Sequence, residues 1–215
     1  MLATRMSENT KTAYSLNLPA ITSCPGATDS CTKVCYANRG RYLMNGKITT
    51  DHNWKVLNED ASSLLNMPIP KKATSIRLLG SGDIFSVDFG LNLFRMCELN
   101  PGIDFWAYTR SFTILREILS QKSVPANLVL WVSADEDNVD RAEKMAEEFG
   151  LPVAYMGETP SNSNPVPCPA ITRPNEFPLT KKKEDAPCQR CTFCFSQKPS
   201  AAKVRKRKGV RFLEH

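Results

Sequence analysis

Seven cysteines fall into two groups along the chain, and they are the residues best suited to do chemistry. The first group is Cys24, Cys31 and Cys35, in the sequence SCPGATDSCTKVCYANRG. The second group is Cys168, Cys188, Cys191 and Cys194, in CPAITRP and CQRCTFCF. The first residues show no secretory signal, so we expect a reducing compartment. In such a compartment this spacing indicates metal binding more than disulfides.

Thiolates are ligands for both iron–sulfur clusters and zinc. The run Cys188-x2-Cys191-x2-Cys194 places three sulfurs on one short loop, which is common for a cubane. Zinc sites usually pair two C-x2-C knuckles instead. The sequence therefore favours one or two [4Fe–4S] clusters, with zinc as the alternative. The two groups can also donate jointly to one cluster, which would leave some cysteines without a metal. The eighth cysteine, Cys97, is expected in the core, because free cysteine behaves as a small hydrophobe.

The elements that must position these groups alternate through the middle of the chain. Apolar patterns predict strands at 14–22, 74–79, 104–108, 128–133 and 152–156. They predict helices at 87–99, 112–121 and 138–149, and a partly helical stretch at 41–66. Strands separated by helix-length segments imply right-handed crossovers and a parallel sheet, so the predicted fold class is α/β.

Polar residues follow the carboxyl ends of the predicted strands, where parallel α/β sheets bind ligands. In the turn Gly80-Ser81-Gly82-Asp83, glycine lets the backbone approach a ligand, and Asp83 can bind an amine or a hydroxyl. Arg110 can hold a carboxylate or a phosphate with its planar fork. The same predicted rim includes Tyr108, Ser133, Asp135 and Glu158. The alternative is routine turn chemistry, with Asp135 merely capping a helix.

The C-terminal part of the chain differs in composition from the rest. Eight of the 15 prolines lie between Pro160 and Pro199, so we expect an irregular segment that bound metal would fix. The net charge is +6, and seven Lys and Arg residues lie between Lys198 and Arg211 without an acid among them. This basic tail predicts contact with nucleic-acid phosphates, and the alternative is a solvated tail.

Several classes of protein are excluded. No apolar run approaches the roughly 20 residues of a membrane helix, so no membrane contact is expected. Residues 213–215 look like the start of an affinity tag, which leaves His52 as the one native histidine. A Ser or Cys triad therefore has no obvious support, and neither a phosphate-loop nor a G-x-G-x-x-G signature is present.

Four stretches resemble the gene product 88 family of bacteriophages. They are CPGATDSCTKVCYANRGRY, GSGDIFS, AYTRS and the closing CPA with CQRCTFC, spread over most of the chain. The resemblance implies a viral protein that acts in the cytoplasm of the infected bacterial host.

The layout also resembles radical S-adenosylmethionine enzymes, in which a C-x3-C-x2-C loop follows the first strand and a Gly-Gly-Glu-like turn follows the second. Cys31 and Cys35 match the loop, and Gly80 to Asp83 stand in for the turn. Asn38 occupies the third cysteine position, so Cys24 would supply the third thiolate. The resemblance implies a partial (βα) barrel and an electron donor. It also implies one open iron that binds S-adenosylmethionine and an auxiliary cluster closed by four cysteines.

The expected organisation is a partial barrel over 1–158, a Pro/Cys-rich metal-binding segment over 159–197 and a basic tail over 198–212. The expected function is that of an iron–sulfur protein, either a radical S-adenosylmethionine-like enzyme or a non-catalytic protein. The non-catalytic form, with a cluster or zinc, would serve electron transfer, sensing or nucleic-acid binding.

Overall fold

The computed structural model describes residues 3–40, 45–157 and 163–212. Glu158 of the predicted rim and residues 213–215 therefore lie outside the described residues. The strands are β1 (Ser7–Asn9), β2 (Ala13–Leu16), β3 (Ser75–Leu78), β4 (Asp104–Thr109), β5 (Leu128–Ala134), β6 (Val153–Met156), β7 (Val166–Pro167) and β8 (Val210–Phe212). The helices are α1 (Asp29–Lys33), α2 (Asn45–Glu59), α3 (Val87–Glu98), α4 (Phe112–Gln121), α5 (Val139–Phe149), α6 (Pro169–Thr172), α7 (Pro187–Cys191) and α8 (Pro199–Lys208).

The strands form one sheet in the order β1-β2-β3-β4-β5-β6-β8-β7, and in the described residues it is not closed. Only β1 pairs antiparallel, with β2, and every other neighbouring pair is parallel. The prediction of an α/β fold with parallel strands is therefore confirmed. None of the described helices is long and apolar enough to cross a membrane.

The alternation of side chains along the strands divides the molecule into two cores. In β4, Phe105 and Ala107 point into the larger core, which is packed against α3, α4 and α5. Trp106 belongs to a second core on the opposite face, as does Trp131 of β5. Successive side chains of a strand point to opposite faces, so two strands of this kind supply both cores. Cys97 is fully buried in the larger core, as predicted.

Residues 163–212, which we call the C-terminal layer, cover the second face. The ring of Phe195 stacks on Trp106 with 4.6 Å between the ring centroids. The indole N–H of Trp131 donates to the carbonyl of Cys194 at 3.0 Å. The layer thus completes the core that the helices leave open on this side of the sheet.

The segment expected to be irregular contains two short helices and a strand. Prolines occupy the first turns of α6, α7 and α8, at Pro169, Pro187 and Pro199. A proline there sacrifices no hydrogen bond, because the first N–H groups of a helix have no partner within it. The prolines therefore start helices in this layer, whereas composition alone suggested that they prevent them.

The basic residues near the C-terminus belong to a helix and a strand that are part of the fold. Strand β8 pairs in parallel with both β6 and β7, so it is an internal strand of the sheet. Arg205 of α8 is 4% exposed, and its guanidinium donates to the carbonyls of Phe193 and Ser196 at 2.9 and 2.8 Å. This arginine fastens α8 to the loop that carries Cys194.

We predict that Arg205→Ala lowers the free energy of unfolding by about 2–4 kcal/mol, because two buried carbonyls lose a charged donor. Lys203→Ala on the same helix is the control, since Lys203 is exposed, and it should change stability by less than about 0.5 kcal/mol. Urea denaturation followed by tryptophan fluorescence measures both. Equal effects of the two substitutions would contradict the role assigned to Arg205.

Candidate functional site

A cavity of about 490 Å³ lies at the carboxyl ends of the parallel strands. Cys24, Cys31 and Cys35 all line it. Its walls also include seven of the nine predicted rim residues: Gly80, Ser81, Gly82, Asp83, Tyr108, Arg110 and Ser133. Asp135 lies behind this wall and is not part of it, and Glu158 is outside the described residues. The sequence rule that places ligand-binding loops on one rim therefore brings the first cysteine group and these residues together.

Residues 23–36, which we call the cysteine loop, are fastened to the end of β5. The hydroxyl of Thr28 caps α1 by accepting from the N–H of Cys31 at 3.1 Å, and it donates to Asp135 Oδ2 at 2.7 Å. The N–H of Ser30 donates to Asp137 Oδ2 at 2.8 Å. The short helix that carries Cys31 is thus held at its amino end by carboxylates of the neighbouring loop.

Asp83 and Arg110 fasten the same loop to the ends of β3 and β4. The N–H groups of Arg110 and Ile84 donate to the two carboxylate oxygens of Asp83 at 2.8 and 2.7 Å. The N–H of Asp83 donates to the carbonyl of Ser23 at 3.1 Å. The guanidinium of Arg110 donates from Nε to Asp135 Oδ2 at 2.8 Å. Both predicted carboxylates are thus engaged within the protein, and Asp135 does more than cap a helix.

Two glycines allow the cysteine loop to lie close to the strand ends. A Cβ on Gly26 would collide with the backbone carbonyl of Arg110. Gly82 has a φ of +77° and would place a Cβ against Leu18 and Ser23. The glycines of the Gly80–Asp83 turn were expected to admit a ligand. In the structure, Gly82 lines the cavity and also lets the turn pack against the residues that lead into the cysteine loop.

Burial and neighbouring charges set the ionisation of the first cysteine group. Burial raises the pKa of the Cys24 thiol to about 12, and the Asp83 carboxylate adds to this increase. Burial also raises the pKa of Cys31, and the Arg110 guanidinium acts against that shift. Neighbouring cysteines of the group also raise the pKa of Cys24 and of Cys31. At neutral pH a metal that binds here must displace protons from Cys24 and Cys31.

The second cysteine group lies in the C-terminal layer. Cys168, Cys188 and Cys194 belong to the core around Trp106 and Trp131, although 20 residues of chain separate Cys168 from Cys188. The N–H of Cys188 donates to the carbonyl of Lys11 at 3.0 Å, and that of Cys168 to the carbonyl of Arg211 at 3.0 Å. Burial raises the pKa of Cys188 to about 11, while the charges of Lys11 and Arg77 lower it.

The cysteines of both groups have the chemistry for a thiolate-bound metal, but their side chains do not converge on a common centre. All eight cysteines are free thiols. Within residues 3–40, 45–157 and 163–212, no three His, Cys, Asp or Glu side chains form a group that could hold a metal ion. A metal would therefore have to draw the thiols inward. A cubane demands less convergence than a single zinc ion, because its cysteines bind different irons.

The model of the family described as Gene product 88 matches residues 2–197. The chain belongs to the gene product 88 family. The Gene 88 protein of Mycobacterium phage L5 is 32% identical over 203 residues, which cover 85% of this chain and 82% of that protein. The Gene 88 protein of Mycobacterium phage D29 is 32% identical over 209 residues, covering 87% and 85%. No solved structure gives a significant match. The prediction of a bacteriophage family is thus confirmed.

Sequence reasoning missed several residues that line the cavity of this gene product 88 family member, notably Lys11, Tyr36 and Arg77. The hydroxyl of Tyr36 donates to the carbonyl of Gly80 and accepts from Arg77 at 3.1 Å. The Arg77 guanidinium lies 5.2 Å from the centre of the Tyr108 ring. A signal for Arg77 existed, because it is a charged residue within the apolar run of β3, where alternate positions face opposite sides.

We predict that Gly26→Ala lowers the free energy of unfolding by about 1–3 kcal/mol. The added methyl group would collide with the backbone of Arg110 and Ser111, which cannot easily move aside. Gly102→Ala is the matched control, since its added Cβ would meet no atom within 4 Å. That variant should stay within about 0.5 kcal/mol of the native protein. Urea denaturation measures both. A neutral Gly26→Ala would show that the cysteine loop does not depend on this close approach.

The raised pKa of Cys24 predicts how its alkylation depends on pH. A thiol with a pKa of about 12 is almost entirely protonated near neutrality. In metal-free protein the iodoacetamide rate at Cys24 should therefore rise about tenfold per pH unit up to about pH 10, without levelling off. Peptide mass spectrometry gives the rate at this residue. Protein unfolded in urea is the control and should level off near the ordinary thiol pKa. Levelling off at the same pH in folded protein would refute the shift.

Proposed function

We propose that the chain is an iron–sulfur protein with one [4Fe–4S] cluster at each cysteine group. One observation carries this proposal: Cys24, Cys31 and Cys35 line a cavity together with the strand-end residues Gly80–Asp83 and Arg110. Three thiols beside an open space suit a cluster with one iron left for a small molecule. The four thiols of the C-terminal layer suit a cluster whose irons are all bound by protein.

Cations beside both cysteine groups offset part of the cost that burial and nearby carboxylates impose on ionised thiols. Arg110 acts on Cys31 so as to favour its thiolate, and its own orientation is fixed by Asp135. In the second group, Lys11 and Arg77 favour the thiolate of Cys188 in the same way. Positive charge beside thiolate ligands offsets the negative charge that they bring into a partly buried site. Each group therefore has cations placed to support ionised cysteines.

The cavity has the size and the lining of a small-molecule site. Its volume of about 490 Å³ lies within the usual range for ligand pockets. Arg110, whose guanidinium can hold a carboxylate or a phosphate, lines it, and the Ser133 hydroxyl adds a donor and an acceptor. The rings of Tyr36 and Tyr108 supply apolar surface that limits the access of water.

We take S-adenosylmethionine as the first small molecule to test, because the cysteine loop and the glycine turn resemble those of radical S-adenosylmethionine enzymes. A bound cluster with an open iron supplies one-electron reduction at that position. The chain's own residues would bind and orient the small molecule and exclude water. On this proposal the open sheet corresponds to a partial barrel, and the protein works in the cytoplasm of the infected host with an electron donor.

A non-catalytic role is the second candidate, and the anchoring of the cysteine loop favours it. The carboxylates of Asp83 and Asp135 accept hydrogen bonds from other groups of the protein, so neither is free for a reacting group. A cluster held in this way would serve electron transfer or sensing. Zinc at either group is the remaining alternative.

Anaerobic reconstitution with cysteine substitutions tests the clusters. Native protein should hold about eight irons and eight sulfides per chain, and both Cys31→Ser and Cys191→Ser should hold about four. Cys97→Ala, which removes a cysteine of the helix-side core, should keep the native content. Iron and sulfide analysis with absorption spectra measures this. Colourless protein with stoichiometric zinc would contradict the proposal. Native protein with about four irons, almost all of them lost in either variant, would indicate one shared cluster.

Electron paramagnetic resonance with S-adenosylmethionine distinguishes the two candidate roles. The reduced signal of native protein and of Cys191→Ser should change on addition of S-adenosylmethionine, whereas that of Cys31→Ser should not. Formation of 5′-deoxyadenosine with a chemical reductant should follow the same pattern. An intact cluster whose signal ignores S-adenosylmethionine, with no product, would leave the non-catalytic role.

A further inference from the structure

We propose that the C-terminal layer is a nucleic-acid-binding surface that contacts the phosphate backbone. The layer comprises residues 163–212, and the proposal does not rest on the metal content of the protein. Three observations carry it: an excess of exposed positive charge, an aromatic ring contacted by two arginines, and a framework that fixes both.

The layer accounts for the net positive charge of the molecule. It contains twelve Lys and Arg residues against three Asp and Glu, whereas the whole chain has a net charge of only +6. The remainder of the chain is therefore slightly acidic. Six exposed cations of the layer make no ion pair with any described residue: Lys181, Lys182, Arg190, Lys198, Lys203 and Lys208. Charges of this kind give salt-dependent affinity for phosphates.

Two arginines converge on one aromatic ring at the surface of the layer. The guanidinium carbons of Arg173 and Arg190 lie 5.6 and 5.5 Å from the centre of the Phe177 ring. Only Arg173 has a carboxylate partner, Glu176, at 2.9 Å. Two guanidinium groups beside one ring concentrate positive charge at this part of the surface, which attracts a phosphate. Guanidinium and aromatic planes are also the groups on which unpaired bases stack.

The folded core holds these cations in place, which lowers the entropy that binding would cost. Arg190 belongs to α7. In the same helix, the side chain of Gln189 forms hydrogen bonds with the Ser75 hydroxyl and the Thr12 carbonyl. The N–H of Cys188 donates to the carbonyl of Lys11. Helix α8, with Lys203 and Lys208, is fastened by the buried Arg205 and continues into β8. A flexible arm would present similar charge without fixed geometry, so preorganisation distinguishes this surface from a solvated tail.

The composition of α8 favours nucleic acid over a lipid surface. A helix that lies on a membrane needs a broad apolar face opposite its cations. The exposed positions of α8 include Lys203, Val204 and Lys208, and Val204 is the single large hydrophobic side chain of the helix. The layer therefore presents charge with little apolar surface, as phosphate-backbone contacts require.

Fluorescence anisotropy with labelled single-stranded DNA, duplex DNA and single-stranded RNA tests the proposal. Two variants remove charge from the layer: Arg173→Gln with Arg190→Gln, and Lys198→Gln with Lys203→Gln and Lys208→Gln. The matched control removes three exposed charges from helices on the opposite face, by Lys55→Gln, Arg141→Gln and Lys144→Gln. Urea denaturation checks that all variants stay folded.

We expect the native protein to bind at low salt and each layer variant to bind at least about tenfold more weakly. The slope of log affinity against log salt should fall by up to about 0.9 for each lost contact on duplex and about 0.7 on single strands. The control should bind as the native protein does. Absence of binding by the native protein, an equal loss in the control, or equally tight binding to anionic phosphatidylserine vesicles would overturn the proposal.

Discussion

One buried carboxylate joins the segments that build the cavity. Asp135 is 3% exposed, and its Oδ2 accepts from the hydroxyl of Thr28 in the cysteine loop and from Arg110 at the end of β4. A charge buried without partners is costly, so these donors must stay in place for the site to be stable. The position of Cys31 relative to β4 and β5 follows from this requirement. The cavity therefore owes its shape to an ion pair of which Arg110 lines the space and Asp135 lies behind it.

The different elements that cover the two faces of the sheet explain why the two cysteine groups lie in different surroundings. Strands β2 to β6 follow one another in order, and α3, α4 and α5 pack on one face of them. The opposite face carries the large side chains of Trp106 and Trp131, which must be shielded from water. The C-terminal layer supplies that cover, and Cys168 reaches Cys194 because both pack against these rings. The first group instead lies at the strand ends, where the backbone turns leave open space.

The regular elements could be predicted because their signals are local. The strand expected at 104–108 is Asp104–Thr109, and the helix expected at 112–121 is Phe112–Gln121. Strand β8 could not be found in this way. It has three residues, one of them charged, and its partner β6 lies more than 50 residues earlier in the chain. A segment this short becomes a strand because it pairs with β6 and β7. The local sequence pattern carries no information on that pairing.

The rim of the site could be predicted from topology, but the role of each rim residue could not. Parallel strands bring Gly80–Asp83, Arg110 and Ser133 together wherever such a sheet forms. Whether a carboxylate there binds a ligand or fastens a loop depends on contacts with distant residues. Asp83 is engaged by backbone N–H groups, one of them 27 residues away. Sequence spacing carries no trace of such a contact.

The wall between the cavity and the second cysteine group consists of Arg77 and Tyr108. Tyr108 lines the cavity, packs in the core of the C-terminal layer and lies close enough to Cys194 to favour the ionised form of its thiol. Arg77 lies over the ring of Tyr108 and favours the ionised form of Cys188. Both side chains thus line the cavity that contains the first group and act on thiols of the second group. Charges act over longer distances in a poorly screened interior than at the surface, so Tyr108 senses the ionisation of Cys188 and Cys194 from the edge of the cavity.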